Sequence, residues 1–351
     1  MKDFGQSRGR HDGRLVLATP RFRNEGIALY TIPGVRIGHA SDLKGLTGCS
    51  VVLCEAGAVS GVDIRGSAAG TRDLAPCFPG HVVERVHAIF LSGGSAFGLD
   101  AAAGVMEYLE ARGVGFPAGK VRVPIVPGAV IFDLLLGSSN ARPDRRMAFR
   151  ACRAASREVV EGSVGAGTGA TIGKLFGINR ATKGGVGFGN RELQGGVRVQ
   201  ALAVVNAFGD VVDPRTGNVV VGARRSRDSA EFVGTVESMF EGRTGQGFGA
   251  THTTLVVVMT NAALDKVQTT KVAQMAQDGL ARAIRPVHTQ WDGDLVFALS
   301  LGRKKAELNT VGTAAAGVTA EAIVRAVETA EGLGGVPSCR EIRGQGLGSR
   351  G

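Results

Sequence analysis

Ala250-Thr251-His252-Thr253-Thr254-Leu255-Val256-Val257-Val258-Met259 is the stretch on which the reading of this chain turns. A Gly-rich run, Gly242 to Gly249, precedes it and gives way abruptly to an apolar segment dense in β-branched residues. Such a segment reads as a strand buried on both faces, and its upstream threonines read as hydroxyls delivered to the mouth of that strand. Threonine begins strands readily because it is β-branched. A chain that cuts itself at such a place exposes a threonine with a free amine. By chemistry alone Thr251, Thr253 and Thr254 are all candidates.

Outward from this stretch, strand and helix patterns alternate. Strands are predicted at Ser50 to Cys54, Val86 to Leu91, Val123 to Val126, Val197 to Val205 and Leu295 to Leu301. Helical spacing is predicted for Phe97 to Arg112, Asp144 to Val160, Leu264 to Ile284 and Thr310 to Thr329, with Thr319 as a possible N-cap. Elements of both types along the whole length imply one layered α/β or α+β domain. Two connections are irregular, Ser163 to Gly173 and Arg225 to Gly249, and the second is long enough to be functional or mobile.

Composition narrows the function classes. The chain has 351 residues, 44% hydrophobic and 21% charged, which excludes disorder throughout. Its 54 glycines are about twice the usual share and follow no fixed period, so tight turns and close backbone approaches are expected. Much of the net charge of +10 lies near the ends, at Lys2, Arg8, Arg10, Arg14, Arg21 and Arg23 and again at Arg340, Arg343 and Arg350. Those ends read as solvated tails, 1–25 and 333–351. Trp291, Tyr30 and Tyr108 are too few to interleave with basic residues as stacking platforms, so no nucleic acid partner is expected. Five scattered cysteines suit reduced thiols in a cytoplasmic protein, and no apolar run reaches the roughly 20 residues of a membrane span.

Four further features are weighed for chemistry. Gly165-Ala166-Gly167-Thr168-Gly169-Ala170 is Gly-rich, but it lacks the preceding strand of a dinucleotide loop. Gly173-Lys174 fails as a phosphate loop, because Leu175 follows and Thr168 stands where a glycine is required. Asn206 closes a strand, as a turn residue or as an amide donor aimed at an oxyanion. In Trp291-Asp292-Gly293-Asp294 two carboxylates flank a glycine at the start of a strand and face either a solvated turn or a shared cleft. With His288 they form only a weak metal set, since no second His or Cys sits at ligand spacing.

Seven segments occur together in one order: Gly45 to Val51, Leu91 to Asp100, Gly165 to Gly169, Lys183-Gly184-Gly185, Val204-Val205-Asn206, His252 to Asn261, and Asp292-Gly293-Asp294. From about Gly45 to about Gly332 the chain resembles the DmpA-like self-processing aminopeptidases, which include L-aminopeptidase/D-esterases and β-peptidyl aminopeptidases. The resemblance implies an α+β fold, a four-layer α-β-β-α sandwich, over a catalytic domain at 26–332. It implies self-cleavage between His252 and Thr253 into pieces 1–252 and 253–351. Thr253 matches the nucleophile, Asn206 the oxyanion-hole asparagine, and Asp292 and Asp294 the positions that orient the nucleophile and its ammonium. The residue before the nucleophile is usually Asn or Gly in the family and is His252 here. A tyrosine that some members place in the substrate pocket has no counterpart in Val130 to Asp133.

The expected activity is hydrolysis of an N-terminal aminoacyl peptide, amide or ester through an acyl-enzyme on Thr253, with no metal or organic cofactor and with assembly as a homotetramer. A self-processing acyltransferase, or an uncleaved small-molecule-binding protein of the same fold, are the alternatives.

Overall fold

The computed structural model describes residues 29–243 and 252–348. The predicted tail 1–25, Thr251 and most of the Gly-rich run before it lie outside the described residues.

Nine strands form one hydrogen-bonded sheet: β1 (Arg36–Asp42), β2 (Thr47–Ile64), β3 (Gly70–Arg72), β4 (Arg85–Ser92), β5 (Gly128–Val130), β6 (Gly185–Leu193), β7 (Val197–Asn206), β8 (Thr253–Ala262) and β9 (Leu295–Lys304). Their order is β6-β7-β8-β9-β2-β4-β5-β3, with β1 also on β2. The 18-residue β2 joins two layers. Its first half pairs with β1 and β4, and its second half, beyond a register shift between Leu53 and Ala58, pairs with β9.

The period-2 alternation of side chains sorts the apolar residues into three cores. Leu202, Val204, Leu255, Val257, Leu295 and Phe297 meet Val52, Ile89 and Leu91 between the two sheets. Val256, Val258, Ala201, Ala203 and Val296 point the other way, onto the helices α4 (Lys266–Ala283) and α5 (Leu308–Glu328). Cys49, Val51 and Phe90 pack under α1 (Ala102–Glu110) and α2 (Arg145–Arg153). Helices, sheet, sheet, helices is the four-layer α+β sandwich expected. The glycine surplus has a use here. A Cβ on Gly187 would lie 2.1 Å from the carbonyl oxygen of Ala322, and one on Gly189 would lie 2.1 Å from that of Val318, so only glycines let α5 seat on β6.

Several boundaries differ from the sequence reading. The helix expected to Val160 ends at Arg153, because Ser156 and Ile37 exchange backbone hydrogen bonds and pull the chain into an extended course. Instead of a strand over Val123 to Val126, only Val121–Val123 pairs, with Phe116–Ala118, since Pro124 and Pro127 have no N–H to donate. Thr319 caps nothing: it is buried inside α5, which Glu307 caps through the N–H groups of Asn309 and Thr310. The segment from 333, read as tail, carries α6 (Cys339–Gly348), with Cys339 and Ile342 buried. Its start has a local signal in the sequence, a reciprocal Ser338 and Glu341 capping pair. The described part of the irregular stretch from Arg225 holds one short helix, α3 (Thr235–Phe240). All five cysteines are free and buried, and among the described residues no helix is long and apolar enough to cross a membrane.

Candidate active site

The strand ends converge at one edge of the sandwich. In the antiparallel ladder of β7 and β8, Asn206 stands directly opposite Thr253, so the last residue of one strand and the first of the next project from the same face. β9 runs parallel to β8, with Leu255 beside Leu295, and a bridge between His252 and Asp292 extends that pairing. Register alone therefore brings His252, Thr253, Asn206, Asp292 and Asp294 together, all of them buried.

The backbone at the predicted cleavage point is held on both sides. His252 donates its N–H to the carbonyl of Trp291 at 2.9 Å, and its own carbonyl oxygen accepts the N–H of Gly293 at 2.6 Å. Gly293 lies against the Thr253 side chain, since a Cβ there would fall 2.6 Å from Thr253 Oγ1. Behind it, Asp294 O accepts from Arg65 and Gly66, and Asp292 O accepts from Ala68. A Cβ on Gly66 would lie 2.2 Å from Asp292 O, so the 65–69 turn fits tightly behind the carboxylate loop.

The two carboxylates differ in their surroundings. Asp294 Oδ1 accepts the N–H of Thr254 at 2.6 Å, and Oδ2 accepts the N–H of His288 and faces its Nδ1 at 3.0 Å. Asp292 Oδ2 accepts both the N–H and the hydroxyl of Thr289. Burial and the nearby Asp294 charge push the Asp292 carboxyl up to about 6. His288 is the partner of Asp294, and among the described residues no group of three His, Cys, Asp or Glu could hold a metal ion.

Asn206 is oriented by a group the sequence reading passed over. Its Oδ1 accepts the N–H of Thr171 at 3.0 Å and Lys174 Nζ at 2.7 Å, while its Nδ2 donates to the carbonyl of Phe132 at 3.1 Å. The Lys174 ammonium also donates to the carbonyls of Thr171 and Asn206. Burial pushes Lys174 down to about 7, against the opposing pull of the Asp292 charge. Gly173-Lys174, weighed above only as a phosphate loop, thus supplies a buried amine to the site. The Gly-rich 165–171 segment also has a structural use, because buried Lys183 donates to the carbonyls of Gly167, Ala170 and Gly184 and fixes the loop that carries Thr171.

His252 completes the site. Its side chain is 1% exposed and its ring lies 5.2 Å from that of Phe208, tilted by 42°. Burial, with the neighbouring Lys174 charge, pushes its pKa down to about 2, so the imidazole is neutral. Beside it lies a narrow pocket lined by Phe132, Leu135, Leu136, Ile178 and Lys174 among others. A larger cavity of about 630 Å³ sits elsewhere, along the outer face of α5, and contains none of these residues.

Residues 28–339 match peptidase family S58. The chain belongs to that family. It is 40% identical over 341 residues to an uncharacterized aminopeptidase of Mycobacterium bovis, a match covering 89% of this chain and 96% of the relative. It is also 33% identical over 287 residues to a 6-aminohexanoate-oligomer endohydrolase of Paenarthrobacter ureafaciens, covering 81% of this chain and 78% of that one. Among solved structures, the L-aminopeptidase D-Ala-esterase/amidase of Ochrobactrum anthropi, described as a variant of the Ntn-hydrolase fold, superposes with a TM-score of 0.67 at 19% identity, over 90% of this chain and 92% of that chain. A Burkholderia β-aminopeptidase superposes with a TM-score of 0.63 at 22% identity, over 93% of this chain and 96% of that chain. The S58 chain is a hydrolase of an aminopeptidase-type family, and it has the layered fold of these structures.

Proposed function

We propose that this S58 hydrolase cuts itself between His252 and Thr253 and that Thr253 then serves as the N-terminal nucleophile of an aminopeptidase. One observation carries the reading most directly: the carbonyl of His252 is hydrogen-bonded to Gly293 N–H at 2.6 Å, next to a Thr253 hydroxyl that only a glycine at 293 leaves room for.

In the first reaction Thr253 Oγ attacks the His252 carbonyl carbon, and negative charge develops on an oxygen that already faces the Gly293 donor. The bond from that carbon to Thr253 N breaks as the nitrogen takes up a proton, leaving an ester on Oγ. Water hydrolyses the ester to a carboxylate on His252 and a free hydroxyl on Thr253. The freed α-amine has a reference pKa of about 7.7 to 8.0, so it accepts the hydroxyl proton near neutral pH. Attack on a substrate's first carbonyl then forms a second ester of the same kind as the bond from that carbon to the leaving nitrogen or oxygen breaks and the leaving group takes up the proton held by the α-amine; water then hydrolyses this ester to the free acid. Asn206, held by Thr171 and Lys174, supplies the amide expected at the oxyanion. Asp292 and Asp294 supply the negative charge expected to steady the new ammonium. Neither the ester nor its hydrolysis requires a metal or an organic cofactor.

The substrate class that follows is a small peptide, amide or ester with a free amino group. Assembly as a homotetramer belongs to the same proposal and is tested by light scattering. The decisive experiment is the intact mass of the purified protein, with N-terminal sequencing of any smaller fragment. A fragment starting at Thr253 is expected, and Thr253→Ala is expected to abolish both cleavage and hydrolysis. A stable full-length chain that still turns over aminoacyl amides, or full activity in Thr253→Ala, would sink the proposal.

A further inference from the structure

His252 is an odd residue to bury. Its backbone is tied at both polar atoms, to Trp291 O and Gly293 N, yet among the described residues neither ring nitrogen has a hydrogen-bond partner. A buried imidazole left this way loses its hydration with no compensating bond. The ring instead packs on Phe208 and closes one side of the narrow pocket. The space left beside it is about 10 Å³, no more than a single water.

On the proposed route the ester formed in self-cleavage has His252 as its acyl group and Thr253 Oγ as its alcohol. The ester formed in turnover has the substrate's first residue as its acyl group and the same Oγ as its alcohol. Two esters of one fixed oxygen place their acyl carbons alike, and their side chains then project into the same volume. We infer that the volume His252 occupies before cleavage, together with the narrow pocket it borders, is the subsite for the first side chain of the substrate, and that it selects neutral aromatic or branched aliphatic side chains over cationic ones. This inference rests on the Thr253 route proposed above.

The lining supports that choice. Buried Leu136 lines the pocket, buried Phe208 packs on the His252 ring, and Leu135, exposed, forms a rim past which a ring larger than imidazole can extend. None of these groups can solvate a charge. Asp133 also lines the pocket, but its Oδ1 accepts Gly94 N–H and its Oδ2 accepts the Thr47 hydroxyl, so neither oxygen is free of an existing partner. Lys174 at the pocket wall spends its donors on Thr171 O, Asn206 O and Asn206 Oδ1 and offers a cationic side chain no acceptor. The substrate's α-amine would take the position of His252 N, facing Trp291 O, and its carbonyl that of His252 O, facing Gly293 N–H.

The test compares two series in which different acyl side chains meet the same Thr253 oxygen and the same pocket. In the full chain, His252→Phe, His252→Leu, His252→Ala and His252→Lys are followed for self-cleavage rate by intact mass. In parallel, matured wild-type protein is assayed for kcat/KM on the 4-nitroanilides of Phe, Leu, His, Ala and Lys. The expected result is one rank order in both series, with Phe and Leu at least ~10-fold above Lys. The substrate series uses wild-type protein, so a misfolded variant does not blur it. Cleavage and turnover that both proceed, but with unrelated rank orders or with Lys equal to Phe, would overturn the subsite and leave the Thr253 route standing. Failure of every chain to cleave or turn over would overturn both.

Discussion

Replacing Gly293 with alanine should stop maturation while leaving the fold intact. The new Cβ would sit 2.6 Å from Thr253 Oγ1, 2.9 Å from Ala68 O and 3.1 Å from Ala69 Cα. Ordinary contacts begin near 3.5 Å, so the hydroxyl or the loop must yield by about 1 Å. The loop has little room to yield. Asp292 O and Asp294 O are hydrogen-bonded to the 65–69 turn, and Gly66 already packs against Asp292 O and Asp294 N. The displacement therefore falls on Thr253, and with it on the line from Oγ to the His252 carbonyl. A misplacement of that size costs about 100-fold in rate, whereas overpacking one methyl costs about 1 to 3 kcal/mol of stability. The assay is a time course of intact mass after purification, with a thermal melt to show that Gly293→Ala is folded. A folded variant that cleaves within about twofold of wild type would refute the assignment of Gly293 to the scissile carbonyl.

Three further outcomes are expected. Asn206→Ala should lower kcat on an aminoacyl anilide by about 100 to 1,000-fold; a KM change with kcat intact would argue against an oxyanion role. Asp292→Asn tests the raised carboxyl: the folded state holds the Asp292 proton up to about pH 6, the unfolded chain only to about 3.8. The wild type should therefore lose stability relative to the variant as pH rises from 4 to 6, with a constant difference above that of at most about 3 kcal/mol, read as denaturation midpoints across pH; a difference that shrinks from pH 4 to 6 would contradict this. Lys183→Met removes the donor to three buried carbonyls and should cost on the order of 3 kcal/mol in urea unfolding; an unchanged midpoint would show that these carbonyls do not depend on it.

Much of the site was legible as chemistry and little of it as geometry. Thr253, Asn206, Asp292 and Asp294 are named by resemblance to an ordered set of motifs, and the structure gathers all four at one edge. Lys174 was legible only as a failed phosphate loop. Its relevance depends on Asn206, 32 residues away in the chain, and no local pattern connects them. Gly293 and Phe208 were equally silent. A glycine between two aspartates looks like a turn until the Thr253 hydroxyl is found against it, and an aromatic residue after a strand looks like core until an imidazole packs on it.

By itself the chain determined what local order can determine. The unbroken Leu255-Val256-Val257-Val258-Met259 run could only be a strand covered on both faces, and strands mixed with amphipathic helices required a layered α+β domain. Tertiary structure alone decided the ladder register that sets Asn206 opposite Thr253, the early end of α2 where Ser156 pairs with Ile37, and the burial of His252. The physical reason is range. Periodicity and capping act within a few turns of the chain, whereas pairing register and desolvation are set by groups that meet only after the layers close, and at this site they set both the geometry and the charge.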